Sequence, residues 1–299
     1  MLPFSRRSFL SSSAALTAGV ALASSARAIE PIARNGKAKF KFSLAAYSYR
    51  DLLSGMAPKL TMNDFVSECA KFQLDGTELT SYYFPKIVTH DYLRSVAQQC
   101  FRLGLDVSGT AIGNEFGHPP GEKRLGEIAK AKQWIDFAAI LGAPVIRIFA
   151  GHEQPGSTPA QAHSLMVSAI EECCEYAGKH GIYLALENHG GPTATAEGLL
   201  SFVRDVSSPW FGVNLDTGNF ASADVYGDLA KAAPYAVNVQ IKVVVSDDKG
   251  KKSEADFKKL AALLREAHYR GYIVLEFEEK GDPREECPKY LDQLREAFA

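Results

Sequence analysis

The sequence predicts a (β/α)8 barrel, an α/β fold in a single domain, and three observations carry the prediction. Short apolar or alternating runs recur eight times, separated by amphipathic stretches with apolar residues at helical spacing. Glycines stand where such stretches stop: Gly104, Gly142, Gly181 and Gly271. The length agrees, since such barrels run to roughly 250 residues as one domain and the chain has 299. A doubly wound sheet is the competing fold, but no G-x-G-x-x-G follows the first run.

The N-terminal segment stands apart from this repeat. Ser5-Arg6-Arg7-Ser8-Phe9-Leu10 is a twin-arginine pattern, an apolar small-residue stretch runs from Ala14 to Ala23, and Ala26-Arg27-Ala28 fits an A-x-A cleavage site. Basic, then apolar, then small is the order of an export signal, and the stretch is too short to anchor in a bilayer. Residues 1–28 are therefore expected to be a twin-arginine signal peptide, 29–41 a linker and 42–299 the barrel. The mature protein is expected outside the cytoplasm, in a periplasm or its equivalent, without a membrane anchor.

Past Lys41 the expected strands follow in order: Phe42–Tyr49, Gly76–Thr80, Leu105–Thr110, Pro144–Phe149, Ile182–Asn188, Phe211–Asp216, Val237–Val243 and Tyr272–Phe277. Helical stretches between them include Asp64–Phe72, Glu122–Leu141, Gln161–His180 and Glu254–Tyr269. Cys69, Cys100, Cys173, Cys174 and Cys287 are odd in number and lack C-x-x-C spacing. They read as small buried hydrophobes rather than a zinc site or a disulfide framework.

Composition narrows the function classes. Apolar residues make up 46% and charged residues 23%, the mix of a globular protein with a full core. The net charge is −2, and no Lys/Arg run stands outside the N-terminus, which argues against a nucleic-acid partner. A small-molecule ligand fits better; homo-oligomerisation stays open.

The parity of the later strands places chemistry. In Val237-Asn238-Val239-Gln240-Ile241-Lys242-Val243 one face is wholly apolar and the other carries Asn, Gln and Lys. Ile182, Leu184 and Leu186 alternate with Tyr183, Ala185 and Glu187; Val213 and Leu215 with Asn214 and Asp216; Ile273, Leu275 and Phe277 with Val274, Glu276 and Glu278. The apolar set belongs under the helices, so the polar set points into the barrel. Four successive strands thus deliver Glu187, Asp216, Gln240 and Glu276 to the C-terminal mouth, where barrel enzymes keep their chemistry. Three crowded carboxylates repel unless a cation joins them. An all-oxygen set of this kind suits one divalent ion, Mn²⁺, Mg²⁺ or Co²⁺ before Zn²⁺.

Leu186-Glu187-Asn188-His189, Leu215-Asp216-Thr217-Gly218-Asn219, Val239-Gln240-Ile241-Lys242 and Leu275-Glu276-Phe277-Glu278 together resemble the motifs of the xylose isomerase-like TIM-barrel superfamily. That group includes sugar-phosphate isomerases and epimerases, ketose 3-epimerases and inosose dehydratases. The resemblance spans residues 42 to 297 and implies a metal held by the first Glu, the Asp, a His and the last Glu. This chain has Gln240 where the His usually stands. The resemblance further implies that Glu187 and Glu276 form the acid–base pair of a divalent-metal-dependent, manganese-type sugar isomerase or epimerase. Such an enzyme removes a proton beside a carbonyl and passes through an ene-diolate. A keto-sugar or 3-keto-glycoside lyase or dehydratase would use the same site, and a non-catalytic sugar- or metal-binding barrel is the non-enzymatic alternative.

Other polar positions complete the expected pocket. Lys242 shares the inward face with Gln240 and is placed to hydrogen-bond a substrate hydroxyl or to stabilise an enolate, a catalytic role. Arg147 points inward from the fourth strand and either pairs with Glu187 or Glu78 or binds substrate. Glu78, Asn114, His152, His189 and Tyr47 are the remaining candidate substrate-binding residues. Tyr47, Tyr49, Tyr82, Tyr83 and Phe84 are candidates for an aromatic wall.

Overall fold

The computed structural model describes residues 29–299; the expected signal peptide, residues 1–28, lies outside them. The strands in chain order are β1 (Lys39–Ala45), β2 (Gly76–Thr80), β3 (Asp106–Ala111), β4 (Val145–Ile148), β5 (Tyr183–Glu187), β6 (Phe211–Asp216), β7 (Ala236–Ile241), β8 (Val244–Ser246), β9 (Lys252–Glu254) and β10 (Arg270–Leu275). All but β8 and β9 close into a parallel barrel ordered β1-β10-β7-β6-β5-β4-β3-β2, while β8 and β9 form a separate antiparallel hairpin. Around the barrel lie α1 (Arg50–Leu53), α2 (Met62–Lys71), α3 (His90–Arg102), α4 (Glu122–Leu141), α5 (Pro159–Lys179), α6 (Ala196–Asp205), α7 (Val225–Ala232), α8 (Phe257–Glu266) and α9 (Pro283–Phe298). Among the described residues no helix is long and apolar enough to cross a membrane.

Local sequence explains boundaries such as the start of α5 and the end of α4. Thr158 caps α5 by accepting from the Gln161 N–H while the Gln161 side chain accepts from the Thr158 N–H at 2.9 Å, with Pro159 in the first turn. α4 stops at Gly142, whose φ of +76° is left-handed. Period-2 alternation sets the core: Leu184, Leu186, Val213, Leu215, Val239, Ile241, Ile273 and Leu275 are at most 1% exposed. Burying each such side chain contributes about 1.5–3 kcal/mol. The five cysteines are free and buried, and burial pushes the Cys100 thiol up to about 11.

Three expectations change. The first strand starts at Lys39, within the expected linker, and ends at Ala45, where a 3-10 turn takes over. Its Phe40 packs edge-on against Phe298 of α9, and the preceding segment is tied down by Ile29 N–H to Val203 and Ile32 N–H to Pro234. Gly271 is no helix stop. It pairs with Phe40 inside the sheet, where a Cβ would meet the Tyr269 hydroxyl at 2.5 Å; α8 ends earlier, with His268 left-handed. The helix expected from Glu254 begins at Phe257, because Lys252–Glu254 pairs with β8 and Asp256 provides the cap.

Candidate active site

Inward parity holds along the barrel strands β4, β5, β6, β7 and β10. Arg147 lies within β4, Glu187 and Asp216 end β5 and β6, Gln240 lies within β7, and Lys242 and Glu276 directly follow β7 and β10. All six are buried, none above 7% exposed. A cavity of about 220 Å³ opens at this end, lined by Glu187, Glu276, Lys242, Arg147, Tyr47, Tyr82, Phe149, His189 and Glu278.

Two cations hold the carboxylates. Lys242 Nζ lies 2.9 Å from Glu276 Oε2, 2.8 Å from Glu278 Oε1 and 3.4 Å from Asp216 Oδ2. Arg147 Nε lies 2.8 Å from Glu187 Oε2, and Arg147 Nη1 donates to the Ile112 carbonyl at 2.6 Å. Asn219 donates to Glu187 Oε1 at 2.8 Å, and the Gly218 N–H donates to Asp216 Oδ1 at 2.8 Å. Asn188 braces the Asp216 backbone through its N–H and carbonyl. Sequence reasoning assigned no role to Asn219 or Glu278, although both stand in the quoted motifs and Glu278 shares the parity of Glu276.

The electrostatics differ on the two sides. Burial raises Glu187 to about 7, with Arg147 opposing the rise. Burial raises Asp216 well above its ordinary value against the pull of Lys242. At Glu276 burial also favours the neutral acid, but the charge and hydrogen bond of Lys242 outweigh it and hold the carboxyl below its ordinary value. Burial works against the Lys242 charge, yet Asp216, Glu276 and Glu278 outweigh it and keep the ammonium protonated. Burial, then Arg147, lowers His189, so its ring is neutral beside Phe149.

A tetrad of Glu187, Asp216, Gln240 and Glu276 around one divalent ion does not fit this geometry. The Gln240 amide is engaged at both ends: its NH₂ donates to Glu78 Oε1 at 2.7 Å and its oxygen accepts from Asn214 Nδ2 at 2.5 Å. Asn238 completes the network, donating to Glu78 Oε2 at 2.9 Å. The carboxylates meanwhile face Lys242 and Arg147. Among the described residues no group of three His, Cys, Asp or Glu side chains is placed to hold a metal ion.

The candidate substrate residues divide. Arg147, His189 and Tyr47 line the cavity, but Glu78, Asn114 and His152 do not. Glu78 is 1% exposed inside the barrel, where burial raises it to about 7. Asn114 brackets the Phe149 backbone, donating to its carbonyl at 2.7 Å and accepting from its N–H at 2.9 Å. His152 is exposed, with Nδ1 2.8 Å from Glu115 Oε2, and lines a neighbouring cavity with His163. Of the aromatic residues, Tyr82 lines the cavity with Tyr47, while Tyr49 packs on Phe65 and Phe84 on Trp134.

Comparison with known proteins agrees with the geometry of the fold. A family model described as xylose isomerase-like TIM barrel matches residues 66–297. No curated protein sequence matches the chain. Among solved structures, a D-psicose 3-epimerase determined in the presence of D-fructose superposes with a TM-score of 0.71 at 18% identity, covering 86% of this chain and 99% of its own. An L-ribulose 3-epimerase gives 0.70 at 18%, covering 86% and 94%. The probable 3-DHS dehydratase AsbF from Bacillus anthracis gives 0.67 at 17%, covering 85% and 98%. At these identities the likeness is one of fold.

Proposed function

Since the chain belongs to the xylose isomerase-like TIM barrel family, we propose that it is an enzyme that enolises a small carbohydrate, removing a proton beside a carbonyl as a sugar isomerase or epimerase does. The observation that carries this reading is the convergence of Glu187 and Glu276 on one cavity that Lys242 and Arg147 also line, each paired with one of the two carboxyl groups. β5 and β10 stand three places apart in the ring, so the two carboxyl groups approach a ligand from different sides. A cavity of about 220 Å³ is smaller than the roughly 300–1,000 Å³ of drug-sized sites and suits a single sugar ring.

Each side chain then has a task. A carbonyl oxygen in the cavity meets the Lys242 ammonium and the Arg147 guanidinium, fixed positive groups that stabilise the charge of an enolate. Glu276, held ionised, is the base that takes the proton from the neighbouring carbon. Glu187, raised to about 7, is substantially protonated at neutral pH and serves as the acid. Environments that push two carboxyl groups apart in this way assign the acid and the base. Delivery of the Glu187 proton to the opposite face of the carbon gives an epimer; delivery to a β-leaving oxygen gives a lyase or dehydratase. The raised value of Glu187 favours keeping that second reading. Tyr47 and Tyr82 supply apolar faces for the C–H side of a sugar ring.

The Ser5–Leu10 pattern supports, as a further part of this reading, export by the twin-arginine route and work outside the cytoplasm.

Hydrogen exchange tests the reaction. Incubation with a panel of ketoses and 3-keto-glycosides in D₂O should place deuterium at one carbon or release a leaving group. Glu276→Gln should slow that exchange by roughly 10²–10⁴-fold. Folded wild-type protein that exchanges nothing across the panel would refute the enolising reading and favour hydride shift or simple binding.

A further inference from the structure

We propose that Lys242 is the resident cation of this site: with Arg147 it replaces the divalent ion, and the carboxylate cluster binds no metal. Four separate features of the structure support this. The Lys242 ammonium stands among carboxylates from the ends of β6 and β10, within 2.8–3.4 Å of Asp216, Glu276 and Glu278. Its backbone is fixed by its N–H donating to Thr217 Oγ1 at 2.9 Å.

Its stem lies in a bed made for it. A Cβ at Gly218 would meet Lys242 Cγ at 2.5 Å and Cβ at 2.7 Å, so the absence of a side chain in the Asp216-Thr217-Gly218 turn is what admits the lysine stem. The third feature is Gln240, whose amide is held at both ends, by Glu78 and by Asn214. The fourth is charge. Glu187, Asp216 and Glu276 face two fixed positive charges, the same total that a divalent ion would bring. An ion bound to Asp216 Oδ2 and Glu276 Oε2 at about 2.0–2.2 Å would sit against the ammonium and be repelled by it. The ammonium and guanidinium remain capable of the electrophilic task, since both line the cavity as fixed positive charges.

The inference rests on the enolising reading only for its consequence in catalysis; its test does not. The full chain is purified, its metal content measured by mass spectrometry, and Mn²⁺ titrated by calorimetry and by thermal shift, all without substrate. Wild-type protein should hold no stoichiometric Mn, Co or Zn and show no Mn²⁺-induced rise in melting temperature. Lys242→Ala combined with Gln240→His should acquire both, and Lys242→Ala with Gln240 retained should bind more weakly than the pair. Lys242→Arg, which keeps the charge, should stay metal-free and folded, and serves if the alanine variants do not fold. One tightly bound equivalent of metal in wild-type protein that disappears in Glu276→Gln would overturn the proposal, whatever the exchange assay shows. Silence in the exchange assay with a metal-free wild type would overturn the enolising reading and leave the resident cation standing.

Discussion

Glu78 sits inside the barrel, 1% exposed, and accepts from Asn238 and Gln240 without a cation against it. Burial, followed by repulsion from Glu276, raises its pKa from 4.5 to about 7. Below the ordinary carboxylate range both folded and unfolded chains hold the proton, and the group has no pH-dependent effect. As pH rises through 4.5 towards 7 the unfolded chain releases its proton while the folded one retains it, so stability falls. Above about 7 the folded carboxyl ionises too and the slope ends. A displacement of this size corresponds to about 3 kcal/mol when complete, of which about 2.5 kcal/mol falls between about pH 5 and about pH 8. Glu78→Gln keeps the shape and removes the titration. Its local hydrogen-bond cost is the same at every pH, so the difference between variant and wild type isolates the carboxyl. Urea unfolding followed by the fluorescence of Trp134 and Trp210 should show wild type losing about 2–3 kcal/mol more than the variant across that range. Parallel profiles for the two proteins would refute the account of Glu78 as a buried acid held near neutrality by desolvation.

At about pH 9, where Glu187 is ionised in the wild type, Arg147→Met should lower unfolding free energy by about 3–5 kcal/mol, because it leaves that carboxylate buried without its 2.8 Å partner; adding Glu187→Gln should recover most of that loss in the same urea titration, and no recovery would mean that the pair is not the source. N-terminal sequencing of protein recovered from outside the cytoplasm should begin at Ile29, and export that survives Arg6→Lys with Arg7→Lys would count against the twin-arginine route.

Sequence alone named the inward residues of the later strands and put them near the strands' C-terminal ends. Alternation over five or six residues is a local property, so Glu187, Asp216, Gln240, Lys242 and Glu276 could be assigned to the interior without knowing their neighbours. The same pattern with its glycine punctuation was enough for the barrel, because parallel strands buried on both faces and followed by helices have few other ways to close. Very short strands escaped it: Val244–Ser246 and Lys252–Glu254 are three residues each, too brief for a period to register. Gly271 misled for a related reason, since a glycine that ends a helix and one that admits a tyrosine ring look alike in the chain. Partner choice was beyond the sequence. Glu78 and Gln240 are 162 residues apart and meet only because β2 and β7 face the same interior, and that meeting commits the glutamine amide to Glu78. Inward orientation follows from the period of one strand, but which oxygen meets which cation depends on distances across a closed barrel, and only the tertiary structure set those.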